Sequence, residues 1–137
     1  MPYKLRFFLV VGVVLVLAAG FAFANSNAGT SAKIQRFAQE LYRSMNVGTR
    51  SCPASQSAFR VAVCAQTHGD AEVFRMMTDL FLRTSDHFDG EVVTDWLGSR
   101  TVPYKGVRID GVLVTITFEG NLGPFENFGR AYVNANF

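Results

Sequence analysis

Chemistry-bearing motifs are absent from this chain of 137 residues. It has no glycine-rich phosphate loop, no Gly-x-Ser-x-Gly context for a nucleophilic serine, and no internal repeat. Basic clusters are missing too: Lys33, Arg36, Arg43, Arg50 and Arg60 are spread singly, while acids gather between Asp70 and Asp95. A nucleic-acid partner needs a concentrated positive surface, so that class is excluded. After Phe23 no apolar run is long enough to span a bilayer, and the remainder is expected to be a soluble domain. Charged residues make up only 18% of the chain, but hydrophobic residues reach 49%, which argues against wholesale disorder.

What is there begins with an export pattern. Lys4 and Arg6 precede an apolar stretch from Phe7 to Phe23, which ends at Ala22-Phe23-Ala24 and turns polar at Asn25-Ser26-Asn27. A positive start, a greasy middle and a small-x-small end form a secretory signal, with cleavage expected after Ala24. The competing reading is an uncleaved membrane anchor, because the run lies near the lower end of a spanning length of about 17 to 25 residues. The run holds no cysteine, so attachment of lipid to an N-terminal cysteine after cleavage is ruled out. The precursor carries 13 basic and 11 acidic residues, and loss of Lys4 and Arg6 leaves a mature chain of zero net charge. The pI near 8.7 therefore belongs to the precursor. The expected organisation is a signal peptide over 1–24, a polar tether over 25–31, and one domain over 32–137.

In that domain the apolar residues Ile34, Phe37, Ala38, Leu41, Tyr42 and Met45 recur at helical spacing, with Lys33, Arg36, Gln39, Glu40 and Arg43 opposite. Thr30 or Ser31 can cap this helix, which should end near Gly48. The segment from Ser51 to His68 carries a partial helical stripe of Phe59, Ala62, Val63 and Gln66. Asp70 is a candidate N-cap for a further helix, with Val73, Phe74, Met77, Leu80 and Phe81 as its buried stripe, and a short turn can follow over Glu91 to Leu97. Beyond Gly98 the period changes to two. Val107 to Val114 reads as a hairpin turning at Asp110-Gly111, which sets Ile109 against Val112 and Lys105 against Ile116. A last strand is expected from Phe128 to Phe137. The implied fold class is α+β: about three N-terminal helices packed on one face of a three-stranded antiparallel meander, around a phenylalanine-rich core.

In an exported chain Cys52 and Cys64 are expected to pair. Continuous helix between them would hold their Cα atoms about 18 Å apart, whereas a bridge needs about 4.4 to 6.8 Å. The bridge therefore requires the segment after Pro53 to fold back.

Other chemistry is weaker. Cys64 and His68 would share a helix face as a thiolate–imidazole pair, but a bridged Cys64 removes the nucleophile. His68-Gly69-Asp70 and His87-Phe88-Asp89 suggest zinc until the intervening helix holds the histidines more than about 20 Å apart. Asp86, Asp89, Glu91 and Asp95 lack the alternation of a calcium loop. The aromatic C-terminus resembles a last outer-membrane barrel strand, but eight strands of about ten residues would consume the mature chain. No metal and no cofactor is implied.

There remains the outer face of the sheet: Tyr104, Arg108, Leu113, Arg130, Tyr132, Asn134 and Asn136, residue types that occur in protein-contact patches. The expected function is a small secreted or periplasmic module that binds a protein or envelope partner without catalysis, touching membrane only if the leader is retained. One alternative is a small exported hydrolase with Cys64, His68 or the acidic run participating, which a deep pocket lined by His68, or by His87 with two carboxylates, would favour. The other is a membrane-tethered envelope component in which Phe7 to Phe23 remains as an anchor.

Overall fold

The computed structural model describes residues 27–120 and 128–137. The expected signal peptide lies outside them. Contacts divide the chain into two units, Met1–Thr30 and Ser31–Phe137. Residues 27–30 of the first are helical, so the described part of the expected tether is helix.

Among the described residues there are two helices and seven strands, which overturns the expectation of three helices on a three-stranded meander. Helix α1 covers residues 27–44. Strands β1 (Thr49–Arg50) and β2 (Val61–His68) follow, separated by a single 3-10 turn at Ala54–Gln56. Helix α2 (Ala71–Thr84) precedes two short strands, β3 (Gly90–Val92) and β4 (Leu97–Gly98), and then three long ones, β5 (Pro103–Ile109), β6 (Val112–Gly120) and β7 (Phe128–Ala135). All pairings are antiparallel, in the order β1-β2-β7-β6-β5-β3, with β4 also on β5.

Two expected helical segments are therefore strands. Ser51–His68 contains β2, in which Val61, Val63, Ala65 and Thr67 alternate with Ala62, Cys64, Gln66 and His68. The alternation is masked in sequence because small residues occupy both faces and β2 is largely buried on each. The expected turn over Glu91–Leu97 is replaced by β3 and β4, which lie on β5 as short edge strands.

The helices cover one face of the sheet. Ile34, Phe37, Ala38, Leu41 and Tyr42 of α1 are buried against Val61, Val107, Val114, Ile116, Phe118, Ala131 and Val133. The Tyr42 hydroxyl donates to the Val63 carbonyl at 2.7 Å, fastening α1 to β2. In α2 the Asp70 side chain accepts from the Val73 amide, as the N-cap reading requires. The buried stripe, however, is Ala71, Phe74, Thr78 and Phe81, whereas Val73 and Leu80 are exposed. More apolar residues sit on α2 than its contact face can hold, so the sequence stripe was too broad to fix its rotation. Phe74 stacks on Phe118 at 5.0 Å between ring centres.

The hairpin registers as its Asp-Gly turn dictates: Ile109 pairs with Val112 and Lys105 with Ile116, while Asp110 and Gly111 both have positive φ. Lys105 points into the core side. It is neutralised there by Asp79 at 2.9 Å, and its ammonium lies over the Trp96 ring, whose indole nitrogen also donates to Asp79.

Candidate functional site

Side chains directly opposite in paired strands project to the same side, so the registers assemble the outer face row by row. One row runs Arg50, Cys64, Tyr132, Thr117, Tyr104 across five strands. The next holds Gln66, Arg130 and Glu119, and on the other side lie Ala62, Asn134 and Thr115. Leu113, Arg108 and Glu91 form the row nearest the hairpin turn. Tyr104, Arg108, Leu113, Arg130, Tyr132 and Asn134 therefore share one face.

That face is not uniformly open. Tyr104 and Leu113 are 41% and 53% exposed, and Arg108, Arg130 and Asn136 are also exposed. Tyr132 and Asn134 are buried. The cover is the segment between β1 and β2, which folds back over the sheet after Pro53. Gln56 accepts from the Asn134 amide at 2.8 Å, and the Arg60 backbone donates to Asn136 at 3.0 Å. The Cys52–Cys64 disulfide pins its start, with Cα atoms 5.2 Å apart. The conflict between bridge and helix resolves because this stretch is a loop and a strand.

Beside the bridge the fold-back leaves a groove of 380 Å³ lined by Arg50, Ser51, Gln66, Arg130 and Tyr132 together with both cysteines. The Tyr132 hydroxyl donates to Glu119 at 2.9 Å. Burial, and then the Glu119 carboxylate, push this phenol above its ordinary range, while neighbouring Arg130 pulls it partly back. At the other end of the face Arg108 pairs with Glu91, and the Gly106 amide donates to Thr94 at 2.8 Å. Arg50, Ser51 and Gln66 escaped sequence reasoning because only the non-local β1–β2–β7 pairing brings them to Arg130.

Comparison with family models, with curated proteins and with solved structures finds no match. What the face does has to be read from its own chemistry.

The remaining candidates fall elsewhere. Cys64 is bridged, so a Cys64–His68 nucleophile pair does not form. His68 ends β2 and His87 lies beyond α2, and no three His, Cys, Asp or Glu side chains converge among the described residues. Of the acidic run, Glu91 pairs with Arg108 and Asp95 accepts from the Trp96 amide, while Asp86 and Asp89 line a 310 Å³ groove with Lys33 and Arg36. His87 lies in that groove, and its ring is 3.7 Å from Glu40. The neighbouring hydroxyls are engaged with backbone: Ser44 and Thr84 donate to the Leu41 and Leu80 carbonyls, and Ser85 accepts from the His87 amide. His87 thus shares the groove with the carboxylates of Asp86, Asp89 and Asp110, the combination named above as favouring the hydrolase alternative. Among the described residues, however, no hydroxyl hydrogen-bonds its ring to serve as a nucleophile.

The described residues contain no helix long and apolar enough to cross a membrane. The disulfide fits an oxidising, extracellular-type compartment.

Proposed function

We propose that this chain is a small secreted or periplasmic module that acts by binding a protein or envelope partner through the outer face of its sheet. One observation carries the reading. The helices cover the inner face, and the outer one presents exposed Tyr104 and Leu113 together with exposed Arg108, paired directly with Leu113, and Arg130, one row from Tyr104. Aromatic and arginine side chains at a flat, rigid surface are the anchors that protein contacts use, because they bury much area with little loss of rotamer freedom. Tyr132 and Asn134 lie under the fold-back, bonded to Glu119 and Gln56, and stiffen that surface. The leader supports export, with cleavage after Ala24, and the bridge supports an oxidising destination.

The test is capture from the native envelope fraction with the purified protein as bait, run beside Tyr104→Ala and Leu113→Asp. The partner should be retained by the wild type and lost by both variants, with circular dichroism unchanged. A partner retained equally by all three overturns the assignment of the face. Intact mass of the protein from cells decides the leader: a species beginning at Asn25 is expected, and one beginning at Met1 points to the membrane-tethered alternative.

A further inference from the structure

The groove beside the disulfide has a chemistry of its own. Arg50 on β1 and Arg130 on β7 flank β2 from opposite sides. Arg130 pairs directly with Gln66, and Arg50 pairs with Cys64, one step diagonal from Gln66. With strands about 4.8 Å apart and the two positions offset by two residues along β2, the two arginine Cα atoms are about 12 Å from each other. Both residues line the same cavity, together with Gln66 and Ser51. Four other cations, Lys33, Arg43, Lys105 and Arg108, have carboxylates within ion-pair distance. Among the described residues Arg50 and Arg130 have none, as is true also of Arg36, Arg60, Arg75, Arg83 and Arg100. What sets this pair apart is a shared cavity with no carboxylate in its lining. Glu119, opposite Arg130 on β6, is instead taken by the Tyr132 hydroxyl.

We propose that this groove binds a ligand through a tetrahedral oxyanion, a phosphate or sulfate group. The inference rests on the reading of the outer face as the binding surface and gives one end of that face a ligand class. Each guanidinium is a rigid planar fork of donors that matches two oxygens. Two forks approaching from either side of Gln66 present more donors than a carboxylate can use, whereas a tetrahedral anion offers oxygens in both directions. The amide and the serine hydroxyl add neutral donors. The volume of 380 Å³ exceeds a bare anion and leaves space for the molecule carrying it. The bridge fixes Cys52 and Cys64, and so the spacing of β1 and β2 on which Arg50 depends.

The same group can come from a soluble phosphate or from a lipid headgroup, and the experiment separates them. Calorimetric titration of the purified protein with inorganic phosphate, sulfate and acetate is repeated for Arg50→Gln, Arg130→Gln and Gln66→Glu. Flotation with phosphatidylcholine vesicles, with and without phosphatidic acid, forms the second arm. Phosphate or sulfate should bind at one site, more tightly than acetate, and each variant should weaken binding about tenfold or more without changing the circular dichroism. Arginine-dependent flotation only with phosphatidic acid assigns the group to a lipid, and binding of the free anion without flotation assigns it to a soluble molecule. No saturable binding in either arm, equal affinity for acetate, or indifference to all three substitutions overturns the site. Arg50 is an exposed side chain on a two-residue edge strand, so Arg50→Gln remains informative if Arg130→Gln does not fold. Failure here leaves capture by the Tyr104 and Leu113 variants to judge the binding-module reading by itself.

Discussion

Two buried positions show how finely single residues are set in this core. Thr78 lies on the contact face of α2 at 0% exposure, and its hydroxyl has no hydrogen-bond partner among the described residues. A buried, unpaired hydroxyl carries its desolvation cost without return, about 1 to 3 kcal/mol. Val has the same shape without that oxygen, so Thr78→Val should raise stability by about 1 kcal/mol in urea denaturation. A loss of stability would mean that the hydroxyl is satisfied after all. Gly129 is the reverse case. A Cβ there would lie 2.3 Å from the Phe118 ring, which is fully buried and stacked on Phe74 and so has nowhere to go. Gly129→Ala should cost about 2 to 3 kcal/mol by the same assay. Trimming the ring in Phe118→Leu should make the second substitution much cheaper, so that the double variant is more stable than the two single losses added together.

Elements that depend on local signals were legible in the sequence, and those that depend on distant partners were not. The Asp70 cap, α1 and its buried stripe, the Asp110-Gly111 hairpin with its register, and β7 all follow from neighbours within a few residues. β2 was misread because Phe59, Ala62, Val63 and Gln66 fall at helical spacing, and its true partner, β7, closes the chain some 70 residues later. The short edges β3 and β4 take their form from β5 alone. The candidate face was half legible: alternation on β5, β6 and β7 placed Tyr104, Arg108, Leu113 and Arg130 together. The cover over Tyr132 and Asn134 was not, since it needs the fold-back through Cys52. That fold-back yields a prediction. It is a loop of little regular structure, held by the bridge and a few polar contacts. Reduction, or the pair Cys52→Ala and Cys64→Ala, should cost about 3 kcal/mol in denaturant. Hydrogen exchange should rise first in residues 51–60, and the long strands should stay protected until global unfolding. Equal loss of protection across β5–β7 would mean that the bridge supports the whole sheet instead of its cover.

For the molecule as a whole, the attachment of the helical layer to the sheet predicts how stability depends on pH. Tyr42 is fully buried between α1 and β2, and burial drives its phenol far above the ordinary tyrosine value, because the anion would lie in the core. Tyr132 on the other side of the sheet is shifted in the same direction, by burial first and then by Glu119. Both phenols bind their protons more tightly folded than unfolded. Their contribution is therefore complete below the unfolded value of about 10, and it is lost as pH rises from there towards the raised folded values. Once the unfolded tyrosine is ionised, each pH unit removes about 1.4 kcal/mol for Tyr42 alone. Tyr42→Phe loses its hydrogen bond to Val63, so it should be less stable near neutrality by about 1 kcal/mol. Its alkaline limb should be shallower by about 1.4 kcal/mol per pH unit, so the difference from wild type narrows and then reverses above pH 10. Urea midpoints taken between pH 7 and 11 test the crossing. Parallel curves for the two proteins would show that the phenol leaves the core before the sheet opens, and that α1 detaches as a layer of its own.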